Sequence, residues 1–107
     1  MTFKEQLTAK AEKLNIEKDV KYIKERMEEH YACRKFTVSL IKSYTNMAIG
    51  SANSHRTSLF IPNLVSPEYY LKLFVEAFIN LGFTDDDMTF TYSDNEYYES
   101  YDIILKW

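Results

Sequence analysis

Carboxylates and phenols are interleaved in the last third of this sequence, where they offer recognition chemistry rather than a reaction. Residues 73–107 hold eight acidic residues against one lysine, whereas residues 1–72 hold 12 lysines and arginines against eight acidic residues. Carboxylates form charge-assisted hydrogen bonds with lysine and arginine, and tyrosine adds rigid amphipathic contact area. The pattern predicts a surface that binds a basic protein partner. Its predicted contact residues are Asp85, Asp86, Asp87, Asp94, Glu96, Tyr97, Tyr98 and Glu99.

Three consecutive aspartates, Asp85–Asp87, follow a predicted helix at a place where negative charge is unfavourable. The C-terminal end of a helix carries partial negative charge, and adjacent carboxylates repel each other. Stability therefore gives no reason for three carboxylates here. We expect them either to keep a hydrated loop soluble or to dock lysine and arginine side chains, together with the hairpin tip at 93–99.

The residues that could carry catalysis or hold a metal are few and poorly spaced. His30 and Cys33 lie near a predicted helix C-terminus, whose partial negative charge disfavours a thiolate nucleophile. Adding His55 gives three zinc candidates without the paired spacing of zinc sites. The two acidic turns lack the glycine and the closing glutamate of a calcium loop. We therefore predict a protein that is not an enzyme, with no catalytic residue, metal ligand or cofactor.

A group of basic residues borders two predicted strands and offers an alternative partner class. Its members are Arg34, Lys35, Lys42, His55 and Arg56, with Phe36, Tyr44 and Phe60 near them. Such side chains contact RNA or single-stranded DNA by phosphate pairing and base stacking. The net charge of −3 and the lack of an aromatic–basic consensus disfavour nucleic acid. A nucleic-acid binder using this 34–56 basic edge stays the alternative.

Two amphipathic stripes predict two helices at the start of the chain. Thr2 and Glu5 have the spacing of a capping box, so the first helix is predicted to begin at Phe3. The phase of the apolar pattern breaks at Asn15. The first stripe is Phe3, Leu7, Ala11 and Leu14, and the second is Ile16, Val20, Ile23, Met27 and Tyr31.

Alternating apolar and polar residues predict a strand at 35–40. A helix over 36–48 also fits the apolar pattern, and the threonine, valine and serine content favours the strand. Residues 45–56 are typical of a loop, and 57–61 of a short strand ended by Pro62. The inward side chains of the first strand would be Phe36, Val38 and Leu40.

The C-terminal half predicts a helix and a hairpin. Ser66 and Pro67 supply an N-cap and a first helical residue, and Gly82 supplies the left-handed residue after a helix. Strands at 88–92 and 97–107 would form the hairpin. The order α-α-β-β-α-β-β predicts one α+β domain over 1–107, with two layers and helices on one face of an antiparallel sheet of about four strands.

The other face of that sheet would be open to solvent, which gives a further alternative. Alternation in the last strand sets Ile104 beside Asp102 and Lys106, away from the helices. An apolar residue on an open face favours self-association. The chain would then be a homodimeric structural or accessory subunit.

The order of elements resembles small accessory proteins of phages and prophages. The resemblance lies in a charged helix, a strand, a helix closing on Leu81-Gly82-Phe83 and a hairpin ending Ile104-Leu105-Lys106-Trp107. It implies a phage-encoded inhibitor of a host factor, which acts by binding. The single Cys33 and the lack of an apolar run long enough to span a bilayer predict a cytoplasmic protein, in the host cytoplasm if phage-encoded.

Overall fold

The computed structural model describes residues 2–44, 55–62 and 65–107. The described chain forms two helices, α1 (Phe3–Glu29) and α2 (Pro67–Asn80), and four strands, β1 (Lys35–Ser43), β2 (Arg56–Phe60), β3 (Met88–Asp94) and β4 (Tyr98–Lys106). Short 3-10 turns at Tyr31–Cys33 and Asp85–Asp87 precede β1 and β3. The predicted α+β class with four strands is confirmed.

The four strands form one mixed sheet in the order β2-β1-β4-β3. β4 pairs antiparallel with both β1 and β3, as predicted. β1 and β2 are parallel, so the prediction of a wholly antiparallel sheet is wrong at that pair. Parallel neighbours need a connection of about a dozen residues, and residues 44–55 supply that length.

The predicted break at Asn15 is wrong, because α1 runs through it as one helix of 27 residues. The start at Phe3 is confirmed, with the Thr2 hydroxyl accepting from the Glu5 N–H over 3.2 Å. Leu7 and Ile16 are nine residues apart, which at about 100° per residue places them on opposite sides of the helix. The phase change therefore produces two opposite faces on one helix. Leu7 is 51% exposed and Ile16 only 5% exposed.

The core lies between the helices and one face of the sheet, which we call the helix face. Phe36, Val38 and Leu40 of β1 are completely buried there, as predicted. They pack with Ile16, Val20, Ile23, Tyr70, Phe74, Phe78, Met88, Ile103 and Leu105. The helices thus cover one face of the sheet, and the two-layer arrangement is confirmed.

Local capping positions α2 on this core. The Ser66 side chain accepts from the Tyr69 N–H over 3.4 Å, and Pro67 is the first helical residue. Gly82 follows the C-cap with φ +102°, a conformation that side chains other than glycine rarely adopt. Both predicted ends of this helix are confirmed.

The remaining predicted elements agree with the structure where it describes them. β1 is a strand at 35–43, and the helical alternative fails over this range. β2 ends at Phe60, two residues before Pro62. The predicted loop at 45–56 lies largely outside the described residues, and Arg56 already belongs to β2. No helix within the described ranges has the length and apolarity needed to cross a membrane.

Candidate functional site

Tyrosine hydroxyls and carboxylates meet on the helix face, at the end of the sheet that carries the β3–β4 turn. The register sets Tyr101 between Leu40 and Tyr92, and Glu99 between Lys42 and Asp94. Directly opposed residues of neighbouring strands point to the same face, so these side chains share it with the buried core. Tyr44 follows β1, and Glu68 comes from the first turn of α2. We define the tyrosine–carboxylate cluster as Tyr44, Tyr92, Tyr101, Glu68, Asp94 and Glu99.

Glu99 is the centre of the cluster, because three phenolic hydroxyls lie within hydrogen-bond distance of it. Tyr44 donates to Oε2 over 2.9 Å and Tyr92 to Oε1 over 3.2 Å, while the Tyr101 hydroxyl lies 3.2 Å from Oε1. The rings of Tyr92 and Tyr101 also pack together, with centroids 4.8 Å apart. These contacts restrain the side chains of the cluster.

Glu68 connects α2 to the same cluster. The Tyr101 hydroxyl lies 3.1 Å from Glu68 Oε1, and the Ser66 hydroxyl donates to Glu68 Oε2 over 2.9 Å. The pKa of Glu68 is lowered by its own backbone N–H, by the Ser66 and Tyr101 hydroxyls, and by the charge of Lys42. Glu68 therefore stays ionised over a wide pH range.

The phenols of the cluster are held in their neutral form. A hydrogen bond to Glu99, desolvation and the charge of Asp94 raise the pKa of Tyr44 to about 12. Desolvation, followed by bonds to carboxylates, also raises the pKa values of Tyr92 and Tyr101. A general acid or base works best with a pKa near the working pH, and these shifts move the phenols away from neutrality. The arrangement suits recognition of positive charge better than proton transfer.

The β3–β4 turn presents the predicted hairpin residues around one Asn side chain. Asn95 Oδ1 accepts from the N–H groups of Tyr97 and Tyr98 over 2.8 and 3.0 Å. Tyr97 is 47% exposed, and Asp94 and Glu96 are also exposed. Tyr98 is partly buried, and its register partner Ser43 lies on the face opposite the helices. Thus Asp94, Glu96 and Tyr97 are open to a partner.

The three aspartates lie at the other end of β3, away from the hairpin tip. The strand has seven residues, so about 20 Å separates its two ends. Asp85 and Asp86 are exposed, whereas Asp87 accepts from the N–H and hydroxyl of Thr84 over 3.0 and 3.1 Å. The expectation that stability gives no reason for these carboxylates is therefore wrong for Asp87, which caps the turn before β3.

Only part of the predicted basic edge forms one surface, because Lys35, His55 and Arg56 line a shallow depression together with Cys33 and Thr37. Lys35 and Lys42 stand at opposite ends of β1, and Phe36 is completely buried, so its ring cannot stack on a base. Arg34 Nε donates to the Trp107 carbonyl over 2.7 Å. Arg56 forms an ion pair with Asp102 at 3.0 Å. Among the described residues, the full set of basic and aromatic side chains is therefore not gathered at one place, and a nucleic-acid surface at 34–56 stays a prediction.

The face opposite the helices is less open than predicted. Ser39, Ile41 and Ser100 lie on it and are 4%, 4% and 8% exposed. Ile104 is partly buried. Self-association through this face stays a prediction, and the open apolar area on which it was based is smaller than expected.

Metal binding requires several ligands brought together. Over the described ranges, no group of three or more histidine, cysteine, aspartate or glutamate side chains is arranged to hold an ion. The carboxylates of the cluster instead accept from phenols. Cys33 is exposed in its 3-10 turn.

The predicted contact residues include Asp94 and Glu99 but not the four other members of the cluster: Tyr44, Glu68, Tyr92 and Tyr101. Tyr92 and Tyr101 lie on the predicted hairpin, and counting back from its turn pairs them directly. Tyr44 and Glu68 contact Glu99 and Tyr101 from 55 and 33 residues away in sequence, and no local pattern signals this. Comparison with family models, curated proteins and solved structures gives no match that identifies a family for this chain.

Proposed function

We propose that the protein is a non-catalytic binding module that docks a basic surface of another protein onto the hairpin end of its sheet. The observation that carries the proposal is the clustering of Glu68, Asp94 and Glu99 beside phenolic hydroxyls. Tyr44 and Tyr92 donate to Glu99, and the Tyr101 hydroxyl lies within hydrogen-bond distance of both Glu68 and Glu99. The positive charge of Lys42 acts on Glu68 and is outnumbered by these three carboxylates. Negative charge therefore predominates at this end of the sheet.

Preorganisation supports this proposal. An interface that orders flexible side chains on binding loses affinity, whereas side chains held in advance avoid that cost. Tyrosine is also enriched among the residues that dominate binding energy. Tyr97 and Tyr92 are 47% and 55% exposed beside the carboxylates, so rigid aromatic area and negative charge are offered together.

The resemblance to phage accessory proteins suggests the biological setting of this module. In that setting, the partner would be a host factor whose basic surface is blocked on binding. The homodimeric subunit is the second candidate, and the part of Ile104 that stays exposed on the face opposite the helices is what favours it.

Affinity capture from a host lysate tests the proposal when three forms of the protein are compared. The hairpin variant, Asp94→Asn with Glu96→Gln, removes two exposed charges. The matched control, Glu25→Gln with Glu28→Gln, removes two exposed charges from α1. We expect the wild type and the control to capture a basic protein that the hairpin variant does not retain. Added salt should weaken this binding. Equal capture by all three forms would contradict the proposal.

A further inference from the structure

The outer edge of β3 is open along its length. Among the strands that the structure describes, β3 is the last of the sheet and has β4 as its one neighbour. Every residue of β3 after Met88 is exposed, including Phe90 at 47% and Tyr92 at 55%. The other edge strand, β2, has only five residues and is followed by Pro62.

The backbone of β3 offers hydrogen-bonding groups in a regular order. The Asn95 N–H donates to the Tyr98 carbonyl over 3.0 Å, which sets the phase of the antiparallel ladder. Residues alternate between facing their partner strand and facing away from it. Ser93 and Thr91 therefore face β4, while the N–H and C=O groups of Tyr92 and Phe90 point to the open edge.

Such an edge is normally protected. Proteins block exposed edges with lysine, proline, a bulge or a covering segment, because an open edge pairs with other chains. The central run Thr89-Phe90-Thr91-Tyr92-Ser93 contains neither a charge nor a proline, and its residue types favour strands. The segment suits pairing with a further strand.

The acidic residues at both ends of β3 determine what kind of strand can pair with its open edge. Asp85 and Asp86 flank the start of β3, and Asp94 and Glu96 flank its end. A second copy added antiparallel would bring the acids at one end against those at the other, and an in-register parallel copy would set like acids together. Both arrangements juxtapose like charges, which destabilises the pairing. A strand with cationic ends would meet opposite charge at both.

We propose that the β3 edge binds an extended segment of a basic protein by strand addition, with cationic residues of that segment at both acidic ends of β3. This inference rests on the proposed function and specifies its binding mode. The segment would span about 20 Å with alternating strand-forming residues between its cationic ends. The acidic residues at the two ends of β3 would then contact the same ligand.

Defined peptides test the mode of binding. The probe is the peptide Lys-Lys-Thr-Val-Thr-Val-Thr-Lys-Lys. The comparison peptide has the same sequence but is N-methylated at the two central residues that donate to β3. The methyl groups remove these two N–H donors and leave the charge of the peptide unchanged. Two lost hydrogen bonds of about 1 kcal/mol each should weaken binding at least about tenfold. We expect this loss with the wild-type protein.

Two variants at one position test the same edge from the protein side. Phe90→Pro removes an outward N–H without removing a bond to β4, and Phe90→Thr keeps the N–H while removing the same ring. We expect about fivefold weaker peptide binding for Phe90→Pro than for Phe90→Thr, because one hydrogen bond of about 1 kcal/mol is lost. If Phe90→Pro fails to fold, the N-methylated peptide with wild-type protein decides the question.

The outcomes separate this inference from the proposed function. Equal binding of the two peptides, with binding still weakened by the hairpin variant, would overturn strand addition and leave the acidic docking surface standing. Failure of the lysine peptide to bind would also overturn the inference, while lysate capture tests the proposed function separately. A dimer in sedimentation that Phe90→Pro dissociates would show that a second copy occupies the edge, and would overturn the basic occupant.

Discussion

The hydroxyl of Tyr44 donates to Glu99 Oε2 over 2.9 Å and so joins the end of β1 to the start of β4, 55 residues later in the chain. The same carboxylate accepts from Tyr92, and the Tyr101 hydroxyl lies 3.2 Å from it. The Glu99 side chain thus lies against three tyrosines, of which Tyr92 is in β3, Tyr101 is in β4 and Tyr44 directly follows β1. Changing Glu99 should therefore alter the ionisation of its neighbours.

Glu99→Gln should lower the pKa of Tyr44 from about 12 towards 10.0, because the amide oxygen still accepts a hydrogen bond but carries no charge. Titration of tyrosinate absorbance measures this shift. Glu28→Gln, an exposed change on α1, is the control and should leave the titration unchanged. A titration of Glu99→Gln identical to that of the wild type would contradict the hydrogen bonds.

The same contacts predict how stability depends on alkaline pH. The neutral phenol is the donor, and the folded pKa of Tyr44, about 12, lies above the ordinary value of 10.0. Its stabilisation is therefore complete below pH 10 and is lost as the pH rises through 12. Denaturant unfolding over this range should show a shallower decline for Tyr44→Phe. Equal declines for both proteins would exclude the contribution.

Asp87→Ala should lower the free energy of unfolding by about 1 kcal/mol, the typical effect of losing a capping side chain. Its carboxylate accepts from Thr84, whereas Asp86 is exposed beside it. Asp86→Ala is the matched control and should leave stability within about 0.5 kcal/mol of the wild type. Denaturant unfolding measures both. Equal effects of the two changes would show that Asp87 does not cap the turn.

The two faces of α1 should respond differently to substitution. Leu7→Gln and Leu14→Gln should change stability by less than about 0.5 kcal/mol, because surface changes away from special features have small effects. Ile23→Ala should cost about 2–5 kcal/mol, since its side chain is fully buried. Urea unfolding of the three variants makes the comparison. A large loss from Leu7→Gln would mean that its face packs on the core.

Structural features that depend on neighbouring residues could be predicted from the sequence, and features that depend on contacts between distant segments could not. Ser66, Pro67 and Gly82 fix the ends of α2 through their own backbone preferences. The phase change at Asn15 fits either two helices or one helix with two faces, and apolar periodicity alone does not separate these cases. Parallel pairing of β1 with β2 depends on contacts between distant segments, which no local pattern reports.

The candidate site likewise has a part that could be predicted from local sequence and a part that could not. Asp94, Glu96 and Tyr97 lie in one turn, and their types and spacing identified it. Tyr44 and Glu68 reach the cluster only because the sheet and α2 bring distant segments together. Tertiary packing therefore turned a predicted acidic turn into a fixed arrangement of phenols and carboxylates.

The affinity of the lysine-ended peptide for the wild-type protein and for the hairpin variant, Asp94→Asn with Glu96→Gln, tests the acidic docking surface most directly. At low salt we predict about tenfold weaker binding to the hairpin variant, since two charge pairs of up to about 1 kcal/mol each are lost. The control, Glu25→Gln with Glu28→Gln, should bind like the wild type. Equal affinity of all three proteins, or equal binding of an aspartate-ended peptide of the same length, would contradict the account.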